Sequence, residues 1–159
     1  RLGIMNWYSK IVNDWSEIPI CIQFFEKELL DARKEVKIKG NIEKNATYLP
    51  AYVELRFGQL QEIEAILEFL NIQLRKLRSK HYKKYLESYQ RALTSRDVEK
   101  YIDGEDEVVN TANIINEFAL LRNKYLGLMK AIDAKQFQIN NIVKLRVAGL
   151  DDAELFAKK

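Results

Sequence analysis

An apolar repeat in the middle of the chain constrains the fold more than any other feature. Alternating steps of three and four residues separate its members, which are Leu60, Ile63, Leu67, Leu70, Leu74 and Leu77, with His81 and Lys84 continuing the spacing as polar residues. This spacing is typical of the seam along one face of a coiled-coil helix. It predicts a helix from about Pro50 to Leu93, roughly 65 Å long at 1.5 Å per residue, with Asn45 or Thr47 as its cap and Pro50 in its first turn.

A second repeat follows after a short connector. Its apolar positions are Ile114, Phe118, Leu121, Tyr125, Leu128, Ile132, Ile139 and Ile142. In the connector, Thr94 and Asp97 have the spacing of a capping box for a short helix that ends at Asp103-Gly104. The acidic residues 105–107 then suit the positive end of the next helix. Two long seams joined in this way predict an antiparallel helical hairpin.

The first 45 residues are less regular. Trp7, Ile11 and Trp15 share one helical face, and residues 20–38 have the pattern of a further amphipathic helix that ends before Gly40. We therefore expect an all-α fold, a long antiparallel helical hairpin with additional N-terminal helices, that assembles into an oligomer. Residues 1–45 are interpreted as N-terminal helices and a linker, and residues 46–159 as the hairpin; both parts are compatible with a single domain.

Composition narrows the functional classes. The chain has 159 residues, 47% hydrophobic and 31% charged, as in soluble globular proteins. No apolar run approaches the roughly 20 residues of a membrane span, and the single Cys21 fits a reducing cytosol. One histidine and one cysteine exclude a zinc site of the Cys/His type. Without a Gly-rich phosphate loop or a catalytic grouping, we expect no enzyme activity, no cofactor and no metal, and a cytoplasmic location.

A basic segment ends the first long helix. Residues 75–96 contain eight lysines and arginines against one acid, Glu87, although the whole chain carries only +3. Tyrosines 82, 85 and 89 lie among these cations, a pattern that suits a strand of phosphates with unpaired bases. The predicted nucleic-acid site comprises Arg75, Lys76, Arg78, Lys80, Tyr82, Lys83, Lys84, Tyr85 and Arg91. In this interpretation Tyr82 and Tyr85 stack on bases; the alternative is that both close the hydrophobic end of the hairpin.

The C-terminal part of the second long helix carries more apolar surface than one helix partner would cover. The residues are Phe137, Ile139, Ile142, Val143 and Leu145, flanked by Lys135, Lys144 and Arg146. An apolar surface on a chain this small often belongs to a subunit interface, so we interpret these five residues as an oligomerisation site. The alternative is that they pack back on the N-terminal helices.

The order of three segments resembles a known family. RSKHYKKYLESY is followed by RDVEKYIDGEDEV and then by KAIDAKQFQINNIVKLRVAGL. Over roughly residues 70–150 this is similar to the UvsY-type recombination mediator proteins of T-even-like phages. The resemblance implies an all-helical protein that forms a hexameric or heptameric ring and binds single-stranded DNA. It also implies that the protein acts in the host cell cytoplasm and catalyses no reaction. Its partners would be a RecA-like recombinase and single-strand-binding protein, because it would help load the recombinase onto DNA that single-strand-binding protein covers.

Two other interpretations use the same residues. A non-enzymatic coiled-coil assembly or scaffold protein would dock its basic helix on an acidic partner. A helix lying on a membrane surface is less favoured, because the basic segment lacks a broad apolar face with Trp or Phe.

Overall fold

The structure, a computed structural model, describes residues 6–88 and 93–150. Its helices are α1 (Trp7–Asn13), a short 3₁₀ helix (Trp15–Glu17), α2 (Ile18–Val36), α3 (Ile42–Ser88), α4 (Ser95–Asp103) and α5 (Asp106–Val147). Every regular element in these two stretches is a helix, so the predicted all-α fold is confirmed.

The predicted antiparallel hairpin is formed by α3 and α5, which share the most extensive helix–helix contact. Tyr125 of α5 donates a hydrogen bond to Gln59 of α3 at 3.0 Å, whereas Glu107, earlier in α5, lies beside His81, later in α3. Side chains of both seams are buried between the helices; in α3 these are Leu60, Ile63, Leu67 and Leu70, and in α5 Phe118, Leu121, Tyr125, Leu128, Ile132 and Ile139. Each contributes about 1.5–3 kcal/mol by leaving water.

The seam of α3 becomes polar where the sequence does. Leu74 and Leu77 are half-buried against a second, smaller apolar cluster, His81 is buried, and Lys84 is exposed. In α5 the repeat skips from Ile132 to Ile139, and Lys135 occupies the intervening inward position with 4% of its surface exposed. Its ammonium donates to the carbonyls of Glu35 and Lys37 at the C-terminal end of α2, at 2.6 and 3.2 Å. A cation at this end of a helix is favourable, because the last carbonyls carry partial negative charge.

The predicted start of α3 was wrong by two turns. Asn41, not Asn45 or Thr47, provides the cap: its side-chain oxygen accepts the N–H of Glu43 at 2.7 Å. Pro50 consequently lies inside the helix, where it removes one backbone hydrogen bond. The additional turns bury Ile42 and Leu49 in the core, which offsets that loss. The polar segment 40–47, which the sequence suggests is a linker, therefore contributes the first residues of α3, and the predicted boundary between residues 45 and 46 falls within this helix.

The N-terminal helices pack on the hairpin. Their buried residues, among them Ile11, Cys21 and Phe25, belong to the same apolar cluster as the seams of α3 and α5. A buried arginine also joins α2 to α3: Arg56, 3% exposed, donates to Glu28 at 2.6 Å and, through Nε, to Glu35 at 3.0 Å. The hydrogen bonds from Arg56 to Glu35 raise the pKa of its guanidinium, so the arginine stays charged in the core.

The connector between α3 and α5 contains the short capped helix, α4, that the sequence predicts. Thr94 caps α4 by accepting the N–H of Asp97 at 3.2 Å, while its hydroxyl donates to the carboxylate of that residue at 2.7 Å. Three buried side chains, Val98, Ile102 and Val108, form the second apolar cluster. Together they close the end of the hairpin against the last turns of α3 that the structure describes.

Candidate nucleic-acid interface

The basic segment has two faces with different environments. Lys76, Lys80 and Lys83 recur at steps of four and three residues, so they share the face of α3 that points away from α5. Arg75 and Lys84 lie at its two edges, and all five side chains are exposed. We call these five residues the basic stripe. Lys76 and Lys83 are seven residues, or about 10 Å, apart along the helix axis.

Most cations of the basic stripe form no salt bridge with a described residue, although Glu87 lies one turn beyond Lys83 on the same face. Within the residues that the structure describes, Lys76, Lys80, Lys83 and Lys84 form no salt bridge. Arg75 lies 3.6 Å from Glu68, and both side chains of this pair are mostly exposed. A pair in that environment is worth less than about 1 kcal/mol, so it does not hold Arg75 away from a ligand.

The remaining predicted site residues of α3 face inward. Tyr82 and Tyr85 are half-buried against Val98, Ile102 and Val108, and the ring of Tyr85 stacks on that of Tyr101 with centroids 5.6 Å apart. Arg78 forms a salt bridge of 2.8 Å with Asp103. These placements favour the alternative for the two tyrosines, closure of the hydrophobic end of the hairpin, and give Arg78 a structural partner.

Acidic residues of the connector bind this inner face. The hydroxyl of Tyr85 donates a short hydrogen bond to Glu105, which lowers the pKa of that carboxyl. The imidazole of His81 lies 3.2 Å from the carboxylate of Glu107 and 3.8 Å from that of Glu105. The acidic run predicted only to begin a helix therefore also neutralises the inner side of the basic segment. Lys76, Lys80 and Lys83 lie on the opposite side of α3, away from these carboxylates. The remaining predicted site residue, Arg91, lies outside the described residues.

An aromatic cluster on the same outer face was missed by the sequence analysis. Phe69 lies seven residues before Lys76 and is flanked by Tyr8 and Trp15, with both ring centroids 6.3 Å from its own. We call these three residues the aromatic trio. The spacing of positions 69, 76, 80 and 83 indicates that Phe69 shares a helical face with the three lysines. The spacing does not indicate that α1 and the 3₁₀ helix pack on that face, because this is a tertiary contact.

A second set of cations was also missed. Five lysines line a concavity of about 210 Å³ together with Tyr48 and Tyr52, at the opposite end of α3 from the basic stripe; they are Lys34, Lys37, Lys39, Lys44 and Lys135. Four come from α2, its following loop and the start of α3, and are scattered in sequence. Burial lowers the pKa of Lys135, whose ammonium is already bound to backbone carbonyls.

The predicted oligomerisation residues divide into two groups. Ile139 is 5% exposed and Ile142 half-buried in the core of this chain, whereas Phe137 is 74% exposed and Val143 and Leu145 lie on the surface. The inward pair packs within this chain, but the alternative named the N-terminal helices, whereas Ile139 lines a groove with residues of α3. The outward three residues stay candidates for contact between copies. Nearby, Leu49, Val53, Phe57 and Ile139 line an open apolar groove of about 490 Å³.

Membrane-spanning helices and metal sites are both absent from the described residues, 6–88 and 93–150. None of the helices there is long and apolar enough to cross a membrane. Nor do three or more His, Cys, Asp or Glu side chains in these stretches come together in a way that suits a metal ion. Comparisons of the chain with profiles of known protein families, with curated proteins and with solved structures found no match.

Proposed function

We propose that this protein binds single-stranded DNA through the basic stripe and acts as a non-enzymatic recombination mediator. The observation that carries the DNA-binding proposal is the outward row Lys76, Lys80 and Lys83, exposed and without salt bridges among the described residues. The positive charges in such a row repel one another, and the phosphates of a nucleic-acid strand would reduce this repulsion. Binding would also release the counterions condensed on the nucleic acid, which favours association. Because Arg78 is paired with Asp103, we leave it out of the proposed site, which then comprises the basic stripe alone.

The biological role within this proposal comes from the resemblance of residues 70–150 to UvsY-type mediators. By that resemblance the protein works in the cytoplasm of a phage-infected cell and loads a RecA-like recombinase onto DNA coated with single-strand-binding protein. A ring of six or seven copies presents many basic stripes to one strand, which multiplies a modest affinity per copy. Phe137, Val143 and Leu145 supply exposed apolar surface for contacts between copies.

The test replaces the three outward lysines together: Lys76→Gln, Lys80→Gln and Lys83→Gln. Fluorescence anisotropy of labelled oligo(dT), titrated at several salt concentrations, gives the affinity and its salt dependence. Each phosphate contact contributes about 0.7 to the slope of log K against log salt on single strands, so we expect the slope to flatten by about 2. Circular dichroism should show unchanged helicity, because these side chains are exposed.

A matched control carries the same loss of charge elsewhere: Lys27→Gln, Lys124→Gln and Lys130→Gln, all exposed on α2 or α5. We expect its salt slope to stay within about 0.5 of that of the unmodified protein, because none of these lysines is in the stripe. Equal slopes for the two triple variants would contradict the site. Failure of the unmodified protein to bind oligo(dT) even at low salt would instead favour the scaffold interpretation, in which the stripe docks on an acidic protein.

A further inference from the structure

The outer face of α3 continues beyond the basic stripe, towards the N-terminus of the helix, with aromatic and apolar residues. Seven residues, or about 10 Å, before Lys76 the same face carries Phe69, with Ile72, 37% exposed, between them. Phe69 therefore belongs to one line of side chains with Lys76, Lys80 and Lys83. A ligand that follows the stripe towards the start of the helix next meets aromatic rings.

The rings at this position are fixed and partly open to solvent. Tyr8 and Trp15 meet Phe69 at interplanar angles of 79° and 66°, yet 39% of Tyr8 and 37% of Trp15 stay exposed. Local contacts hold the backbone at both residues: the carboxylate of Glu62 accepts the N–H groups of Trp7 and Tyr8 at the start of α1. The side chain of Asp14 accepts the N–H of Ser16 at the start of the 3₁₀ helix that contains Trp15. Pre-positioned rings lose little entropy on binding, which favours their use in recognition.

Three carboxylates near the aromatic trio have partners of their own. Glu62 caps α1, the side chain of Asp14 accepts the N–H of Ser16 at 3.0 Å, and Glu68 pairs with Arg75. The hydrogen bonds from Ser16 lower the pKa of Asp14, so it remains a bound anion near neutral pH. Along α3 itself, a strand that leaves the cations of the stripe next meets the ring of Phe69 and the two rings beside it.

From this continuity we propose that the aromatic trio is a base-stacking platform. In this proposal one single strand lays its phosphates along the basic stripe, and Trp15, with Tyr8 beside it, stacks on its bases. The proposal rests on the function proposed above and transfers the stacking role from Tyr82 and Tyr85 to the N-terminal segment. From Phe69 to Lys83 the platform and stripe extend over about 21 Å along the helix axis.

The substitution that tests the platform is Trp15→Leu, which keeps an apolar side chain against Phe69. Loss of one stacked base weakens binding about 5- to 150-fold, and the salt slope stays unchanged because no phosphate contact is lost. Trp15→Phe retains a ring and is expected to keep most of the affinity. The control Phe57→Leu changes an aromatic residue of α3 that is 48% exposed but lies in the groove with Ile139, away from the stripe; we expect its affinity to stay within twofold.

Tryptophan fluorescence supplies a readout that does not depend on the stability of Trp15→Leu. The chain has two tryptophans, so Trp7→Phe leaves Trp15 as the sole emitter and Trp15→Phe leaves Trp7. We expect oligo(dT) to quench Trp15 in step with the anisotropy signal, because a stacked base quenches indole emission, and to leave Trp7 nearly unchanged. If oligo(dT) binds but does not quench Trp15, or if folded Trp15→Leu binds with unchanged affinity, the stacking platform is wrong and the basic stripe stands. If oligo(dT) does not bind at all, both proposals fail.

Discussion

Arg56 provides the sharpest test of how the helices are held together. Its guanidinium is 3% exposed and contacts the carboxylates of Glu28 and Glu35, whose side chains are 27% and 16% exposed. Arg56→Met removes the basic member of this contact and leaves the carboxylates of Glu28 and Glu35, both on α2, beside an uncharged side chain. Because water solvates these carboxylates only in part, hydration does not compensate for the lost interaction with the guanidinium.

Removing one partner from a buried charge network costs about 3–5 kcal/mol, against about 5–15 kcal/mol for the whole stability of a typical domain. With a urea m value of about 2 kcal/mol/M, the unfolding midpoint is expected to fall by roughly 1.5–2.5 M. Circular dichroism during a urea titration measures this shift. Adding Glu28→Gln and Glu35→Gln to Arg56→Met should restore part of it, because neutral amides are cheaper to leave buried.

The matched control is Arg75→Met, which breaks an exposed pair with Glu68 in which both side chains are about 70% exposed. Its expected cost is below about 1 kcal/mol. Equal shifts for the two arginine variants would refute the reasoning that burial decides the energy of these pairs. A loss below about 1.5 kcal/mol for Arg56→Met would do the same.

Two further predictions concern titrating groups. Burial raises the pKa of the single thiol, Cys21, to about 12, so a disulfide reagent at neutral pH should label it only through unfolding, with a rate that rises steeply with urea; rapid labelling of the folded chain would contradict its burial. The hydrogen bond from Tyr85 lowers the pKa of Glu105 below its ordinary value of 4.5, so the stabilisation is present above that pH and is lost as pH falls through the folded-state value. An NMR titration should show a higher pKa for Glu105 in Tyr85→Phe; an identical value in both proteins would show that the hydroxyl is not the cause.

Much of the fold was predictable because heptad spacing reports burial directly. The seams from Leu60 to Leu70 and from Phe118 to Ile132 are buried as the spacing predicts, and the Thr94–Asp97 cap forms. The start of α3 was not predictable from the same signals. Proline is favourable in the first turn of a helix and unfavourable in its interior, so Pro50 indicated a first turn. Burial of Ile42 and Leu49 decided the boundary, and that burial depends on tertiary contacts.

The candidate site was predictable only as a segment, not as a surface. Composition finds the cations between Arg75 and Lys84, but it does not distinguish the outward Lys80 from the inward Arg78, because the partner of Arg78 is Asp103 in another helix. Likewise, Trp15 reaches the outer face of α3 through a fold-back of the N-terminal segment onto Phe69. No spacing within α3 encodes that contact.

The measurement that tests the central proposal most directly compares two ligands for the unmodified protein. Labelled oligo(dT) and a duplex of the same length are titrated by fluorescence anisotropy at several salt concentrations. An exposed row of lysines beside the aromatic trio leads us to expect tighter binding to the single strand, with affinity that falls steeply as salt rises. Equal affinity for both ligands, or no binding at low salt, would contradict the assignment of this face of α3 to single-stranded DNA.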